Sequence, residues 1–409
     1  MTSVIHGVPS EWCARTLPET PTTERPVAGT AAMQLLVYGA DQRSEVLNLW
    51  RQLEERLADT PLACSHAWTE TWLEVYRDVV RPWFVVGVIE NQIHGICLLS
   101  ESCQARVAGF PVCSLHLGTA GEPHGESVCV EYNDILVTPR HRREFTDRLQ
   151  QLICLEPGWD QFQLDGIGMD EDSAWPFVPS SGEHSDSLTA KPALQAEIRT
   201  RESRYFDLEA TRQQGTDVLS QLGKSTRANL KRRLKQIGSI EVEWAENLDQ
   251  GLDIFEELVR LHQARWNSAG QPGAFASSRF HAFQQKLITR LLPRDQVVLA
   301  RIKTPQATVG CLYLLVDRNR LLDYVSGFIS FEEFPSPGLI SHYLCMEAAL
   351  RRGFDAYDFL VGEKRHKENL GKSLHMLSWQ VHERPRLQYK LRNCLRTAKQ
   401  LLKKALKST

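Results

Sequence analysis

Apolar residues first recur with a helical period near residue 41, where Val46, Leu49, Trp50, Leu53 and Leu57 share one face; a second helix is predicted over about 67–79. Short apolar runs then predict strands at Trp83–Ile89 and Ile93–Leu99, separated by the hairpin-like Glu90-Asn91-Gln92, and at Tyr132–Val137. A helix over about 140–155 and a strand at Trp159–Leu164 complete this half. Residues 168–200 are polar and turn-rich, so the domain boundary is placed there. The second half repeats the order. A basic helix over about 214–237 and helices over about 248–266 and 277–292 precede strands Val297–Ile302, Thr308–Val316 and Leu321–Phe328. A helix over 338–352, a strand Asp355–Leu360 and a late strand with alternating Leu377, Trp379 and Val381 follow. This predicts an α/β fold of mixed sheets built from two copies of one unit rather than one large sheet: a tail 1–30, modules 31–200 and 201–385, and a helix 386–409.

At 409 residues, 42% apolar and 24% charged, the chain has room for about two to three cores, which excludes a disordered, collagenous or disulfide-stapled protein. The net charge of −2 leaves only local patches for a polyanion. Lys224–Lys235 holds six basic residues and no acid. From Pro385 onward there are eight Lys or Arg and no acid, with Leu387, Leu391, Leu395, Ala398, Leu402 and Ala405 on one helical stripe. Such a basic amphipathic helix docks either on the body of the protein or on an anionic membrane surface. The ten cysteines are dispersed without a CxxC pair, which implies reduced, mostly buried thiols, no metal and a cytoplasmic protein, to which the membrane alternative for 386–409 would add peripheral contact at the inner membrane face. The Thr/Pro-rich first thirty residues read as a disordered tail without a signal-peptide core, and no run reaches the roughly 20 apolar residues of a bilayer span.

Chemistry concentrates late in the chain. Ser336-Pro337-Gly338-Leu339 opens a helix after a strand, which is either a plain cap or an anion cradle built from unpaired N–H groups; Glu332 and Glu333 beside it disfavour phosphate. Asp358 interrupts an apolar strand, so its carboxylate is either paired structurally or shifted in pKa for catalysis. Glu363 and Lys367, four apart, form a surface pair if helical and can face a substrate if in a loop. His262, Arg265 and Trp266 occupy neighbouring faces of one helix; the histidine is a structural group or a base, the tryptophan is expected in the core, and the arginine is expected to hold a carboxylate. No GxSxG, HExxH or GxxxxGK[ST] occurs, leaving serine hydrolysis, zincin and P-loop chemistry without support.

The segments KSTRANLKRRLKQIG, HQARWNSAGQPGAFASSRFHAF and FPSPGLISHYLCMEAALRRGFDAYDFLVGEKRHKENLG, in this order, resemble the GNAT acetyltransferases of the CelD/BcsL type, named from cellulose biosynthesis. The resemblance spans about 40–385 and is strongest over 215–370. It implies two tandem GNAT-like modules with the active site in the second, and transfer of an acetyl or other acyl group from acyl-CoA to an amine or hydroxyl of a sugar or exopolysaccharide precursor by direct attack. On this reading Asp358 and Glu363 are acid/base or acceptor-orienting carboxylates and Tyr324 gives a proton to the thiolate. Ser336, Gly338 and Leu339 then meet the cofactor, and His262, Arg265, Trp266 and Lys367 meet the acceptor or phosphate. The first module is left to shape the groove, with Tyr132 and Asp134 structural. Two positions depart from the family pattern: the Gln/Arg-x-x-Gly-x-Gly/Ala loop is absent, Pro337 removing one N–H donor, and His366 stands where an aromatic precedes Lys367. The related Fem-type transferases also pair GNAT-like modules, which keeps open an aminoacyl-tRNA donor held by Lys224–Lys235; a non-catalytic scaffold for polysaccharide assembly is the third reading.

Overall fold

Thirteen strands form one continuous sheet in the computed structural model, which describes residues 32–169, 194–362 and 365–407. The tail expected at 1–30, most of the polar segment before residue 200, and Glu363 lie outside the described residues. The first half contains β1 (Gln34–Tyr38), α1 (Arg43–Glu54), α2 (His66–Tyr76), β2 (Arg81–Ile89), β3 (Gln92–Val107), β4 (Phe110–Leu117), β5 (Leu136–Val137), α3 (Arg142–Leu155) and β6 (Gln161–Gly168). β7 (Gln195–Asp207) closes the first half, and the second half opens with α4 (Leu208–Gln213), α5 (Val218–Gln221), α6 (Lys224–Ile237), β8 (Glu241–Trp244), α7 (Leu248–Ser268) and α8 (Ser278–Leu291). It closes with β9 (Val297–Lys303), β10 (Thr308–Asp317), β11 (Arg320–Phe328), α9 (Pro337–Arg351), β12 (Ala356–Val361), α10 (Arg365–Leu370), β13 (Ser373–Glu383) and α11 (Leu387–Lys407).

The strand order is β1-β2-β3-β4-β6-β13-β7-β12-β11-β10-β9-β8, with β5 on β3. Read from its two ends it is a palindrome. The parallel pairs fall at matching places, β4 with β6 over Ser114–His116 and β11 with β12 over Arg320–Leu322. The two central strands are exchanged: β13, the last of the chain, pairs with β6 of the first half, and β7 pairs with β12 of the second. They join each other from Ser373↔Tyr205 to Glu383↔Gln195. The repeated order read from the periodicity is thus present, but as one sheet rather than two, and a boundary at residue 200 falls inside β7. The expectation of a strand over Tyr132–Val137 is corrected to Leu136–Val137, because Cys129 and Tyr132 take positive φ (49° and 55°). The basic helix is likewise interrupted between α5 and α6.

Both faces of the sheet are covered. On β10, Cys311, Tyr313 and Leu315 point to a core shared by α1, α2, α7 and α8, and the intervening Leu312 and Leu314 point to a second core under α4–α6 and α9. In the first half α3 covers that second face through Phe145, Leu149 and Ile153. The shared helical layer welds the halves: Trp68 of α2 meets Phe283 of α8 edge-on at 5.3 Å, and Arg290 pairs with Glu74 at 2.5 Å. The expectation of reduced thiols fails at one place, since pairing of β3 with β4 across a bulge joins Cys103 and Cys113 in a disulfide. No helix among the described residues is long and apolar enough to cross a membrane.

Asp358 sits where the exchanged strand meets the parallel pair, fully buried. It accepts hydrogen bonds from Tyr132 Oη of the first half (2.5 Å), Ser203 Oγ of β7 (2.7 Å) and the Leu360 N–H of its own strand (2.8 Å), with the Arg320 guanidinium 4.0 Å away. The last bond holds a bulge in which Leu360 takes φ +57° and β12 turns off its register with β7. Replacing Tyr132 with Phe deprives a buried carboxylate of one donor, and urea unfolding is expected to show a loss of about 1–3 kcal/mol; unchanged stability would contradict this role for the carboxylate.

Candidate active site

The two parallel pairs separate beyond their short registers, with opposite consequences. Between β4 and β6 the chain fills the gap itself: Asn133 donates from its side-chain amide to Leu117 O at 3.0 Å and from its backbone to Gly166 O at 3.1 Å. Between β11 and β12 the gap stays open. The β11–β12 register ends at Leu322, β11 inserts Tyr324 as an extra residue against β10, and β12 bends at Leu360. The result is a solvent-open cleft of about 600 Å³ bordered by Asp323–Ser326, Leu360–Gly362, α7, Lys367 of α10, and Ser127, Cys129 and Glu131 from the first half.

Close approach of α7 to β11 requires the glycine at 327, where a Cβ would lie 2.5 Å from Leu258 O. This seats His262, Arg265 and Trp266 on the cleft wall. Trp266 is not core: it is 40% exposed and donates from Nε1 to His262 Nε2 at 2.9 Å. That bond occupies the nitrogen lone pair a base would use. The Arg265 guanidinium lies 5.6 Å from the Phe331 ring, an aromatic face where a carboxylate partner was expected. Lys367 is nearly buried and donates from Nζ to Leu360 O and Val361 O, both at 3.0 Å, stitching α10 to the bent end of β12.

Tyr324 also lines the cleft, yet its hydroxyl donates to Val128 O at 2.6 Å and accepts from Gln284 Nε2 at 3.0 Å, and burial pushes its pKa well up. Asp358 lies behind the cleft wall with its oxygens committed to Tyr132, Ser203 and Leu360; the structural alternative read from the sequence is the one its surroundings match. Ser336 caps α9 in the left-handed region (φ 61°, ψ 46°) without a side-chain cap bond, and Gly338 packs on the Phe328 ring, where a Cβ would come within 3.2 Å. Neither they nor Leu339 line the cleft, although His342, one turn further along α9, lies 3.7 Å from the cleft residue Asp323.

The residue missed from sequence is Glu131. It reaches across from the first half, accepts the Val361 N–H at 2.9 Å, and lines the cleft. Burial pushes its pKa up to about 7; the Val361 bond, Lys367 and Arg201 oppose the shift and Asp358 adds to it. A carboxylate half-ionised near neutral pH is suited to accepting a proton from an attacking group. No local signal marked it, because Glu131 stands in an irregular segment between two residues with positive φ. The first half, expected to shape the groove, thus also brings an ionisable group to the cleft lining.

Comparison with known proteins agrees with this geometry at the level of domain and fold. Residues 224–368 match the family model described as an acetyltransferase (GNAT) domain. No curated protein matches the chain. Among solved structures, FemX is 12% identical over 82% of this chain and 95% of its own, with a TM-score of 0.50. The L-PGS of Bacillus licheniformis is 10% identical over 85% and 95% (TM-score 0.47), and a tandem GNAT protein from the clavulanic acid biosynthesis pathway 11% over 86% and 99% (TM-score 0.42). The matched stretch lies within the second half of this chain, in a mixed α/β sheet to which the first half contributes as many flanking strands as the second.

Proposed function

We propose that the protein transfers an acyl group, acetyl in the simplest case, from acyl-CoA to an amine or hydroxyl acceptor in the cleft between β11 and β12, with Glu131 as general base. What carries the reading is a carboxylate with a pKa near 7 facing the opening of a parallel strand pair inside an acyltransferase domain. The acceptor nitrogen or oxygen attacks the thioester carbonyl as its proton passes to the Glu131 carboxylate. The tetrahedral intermediate then expels CoA thiolate, which is reprotonated. Backbone N–H groups on the β11 edge vacated by β12 are the candidates to support the oxyanion. Asp358 and Tyr324 act as positioning residues, holding the β12 bulge and the 127–132 segment, while Arg265, Trp266 and Lys367 border the acceptor. Ser336–Leu339 remains the proposed cofactor-facing helix start, although Pro337 leaves it one donor short. A sugar or exopolysaccharide precursor, as in the CelD/BcsL resemblance, is the proposed acceptor class.

A second reading is favoured by one observation. α6 presents Lys231 and Arg232 to solvent and buries only Leu230, a surface able to track a polyanion such as the tRNA of a Fem-type donor. The helix α11 adds a proposed peripheral membrane contact. It is held to the body by Tyr389 and by the Arg392–Glu383 pair, while Leu387, Leu391 and Leu395 on the opposite side are 66%, 39% and 63% exposed.

With Glu131 as base, kcat/KM rises with pH through about 7, because only the ionised carboxylate accepts the proton. Glu131→Gln is expected to lower kcat by about 10²–10⁴-fold and remove that limb, with acetyl-CoA binding by calorimetry retained; full activity in this variant would reject the assignment. Silence with acyl-CoA but salt-sensitive binding of charged tRNA, weakened in the Lys231/Arg232/Arg233→Ala variant, would move the protein to the second reading. For α11, co-sedimentation with phosphatidylglycerol vesicles is expected to exceed that with phosphatidylcholine and to be lost in Leu391→Glu/Leu395→Glu. Equal sedimentation of the two forms would dismiss the contact.

A further inference from the structure

Beneath the cleft lies a second cluster that the acyl-transfer steps do not use. Asp323 stands on β11 immediately after the last residue paired with β12 and lines the cleft. His342 comes from the second turn of α9 and is fully buried between the Phe328 and Phe359 rings, each 5.6 Å away and edge-on. His366 comes from α10, its ring stacked on that of His342 at 4.8 Å. One carboxylate oxygen and one ring nitrogen from each histidine all lie within 4.8 Å of one another.

We propose that Asp323, His342 and His366 bind a divalent first-row transition metal, zinc by preference, at the floor of the cleft. The ligand set is the first reason. Two imidazoles and a carboxylate suit zinc, cobalt or nickel and disfavour magnesium and calcium, which take oxygen ligands. Spacing is the second. His342 Nε2 and Asp323 Oδ2 are 3.7 Å apart, longer than a hydrogen bond. Two ligands on one tetrahedral zinc stand about 3.4 Å apart, so a small inward movement closes the site. Orientation is the third: His342 Nδ1 lies 3.0 Å from the Tyr357 hydroxyl, and with that oxygen accepting Nδ1–H the Nε2 lone pair is turned toward Asp323. A second-sphere partner that fixes the tautomer in this way is a regular accompaniment of histidine–metal bonds.

Each ligand is carried by a different element, and the burial that encloses His342 also limits its rotation. Three protein ligands are the number found in zinc sites that keep a position for an exchangeable ligand. Here Asp323 is the member that borders the cleft, so an oxygen of a bound molecule has access from that side. The other metal-like trio, Glu101, Cys103 and Cys113, is disqualified by the bond between its cysteines. The proposal is independent of the acyltransferase reading, because its test reads metal and not turnover.

The experiment uses the full chain without a histidine tag, stripped with a chelator and titrated with Zn²⁺ by calorimetry and with Co²⁺ by visible absorption. The expected result is one equivalent bound, with four-coordinate Co²⁺ ligand-field bands. Asp323→Asn and His366→Gln are each expected to weaken binding by about 100-fold or more, and Tyr357→Phe by about 10-fold, in variants whose circular dichroism matches the parent. Cys103→Ser is expected to leave binding unchanged. Should His342→Gln fail to fold, the half-exposed His366 still tests the site. No uptake by the parent chain, or uptake undiminished in both Asp323→Asn and His366→Gln, overturns the proposal.

Discussion

The buried carboxylate of Asp358 ties together three pieces of chain that are far apart in sequence. Its hydrogen bonds run to Tyr132 in the first half, to Ser203 on the exchanged strand, and to the backbone of Leu360 on its own strand. A carboxylate taken out of water must be met by donors or it destabilises the fold, so these partners are obligatory and not decorative. Satisfying them sets the bulge in β12 and therefore the place where β12 leaves β11. The cleft is a by-product of how one buried charge is solvated.

In the palindromic sheet the two equivalent parallel pairs differ in whether they open into a cleft. Both parallel pairs separate after a short register, but in the first half Asn133 ties the ends of β4 and β6 together. The segment that closes that gap continues into Tyr132 and Glu131, which reach the other half. One stretch of irregular chain thus seals one opening and furnishes the other with its titratable carboxylate. The acetyltransferase match over 224–368 ends short of this contribution, since Glu131 lies outside it. Exchange of β7 and β13 adds to the interdependence, because each half completes its sheet with a strand from the other.

Helices with a clean apolar stripe, such as α1, α7 and α8, were legible from periodicity, and so were the apolar runs that became β9, β10 and β11. The strands missed were β1, β4, β7 and β8; β7 is largely exposed and polar toward its start, so its strand character comes from hydrogen bonding to neighbours and not from its own pattern. Of the residues singled out by type, His262, Arg265, Trp266, Tyr324 and Lys367 line one cleft. Their roles were less legible: the hydroxyl of Tyr324 and the amine of Lys367 are spent on backbone carbonyls.

By itself the chain determined its α/β class, the repeated order of its elements and the position of its longer helices, because all of these follow from local periodicity and residue type. Tertiary structure alone decided that the halves share one sheet, that Asp358 faces inward as a structural node, and that the Glu131 carboxyl lines the cleft with its pKa pushed up by burial to about 7. The physical reason is common to all three. Strand exchange, burial and desolvation depend on which distant segments come together, and no local pattern encodes the water a side chain will lose.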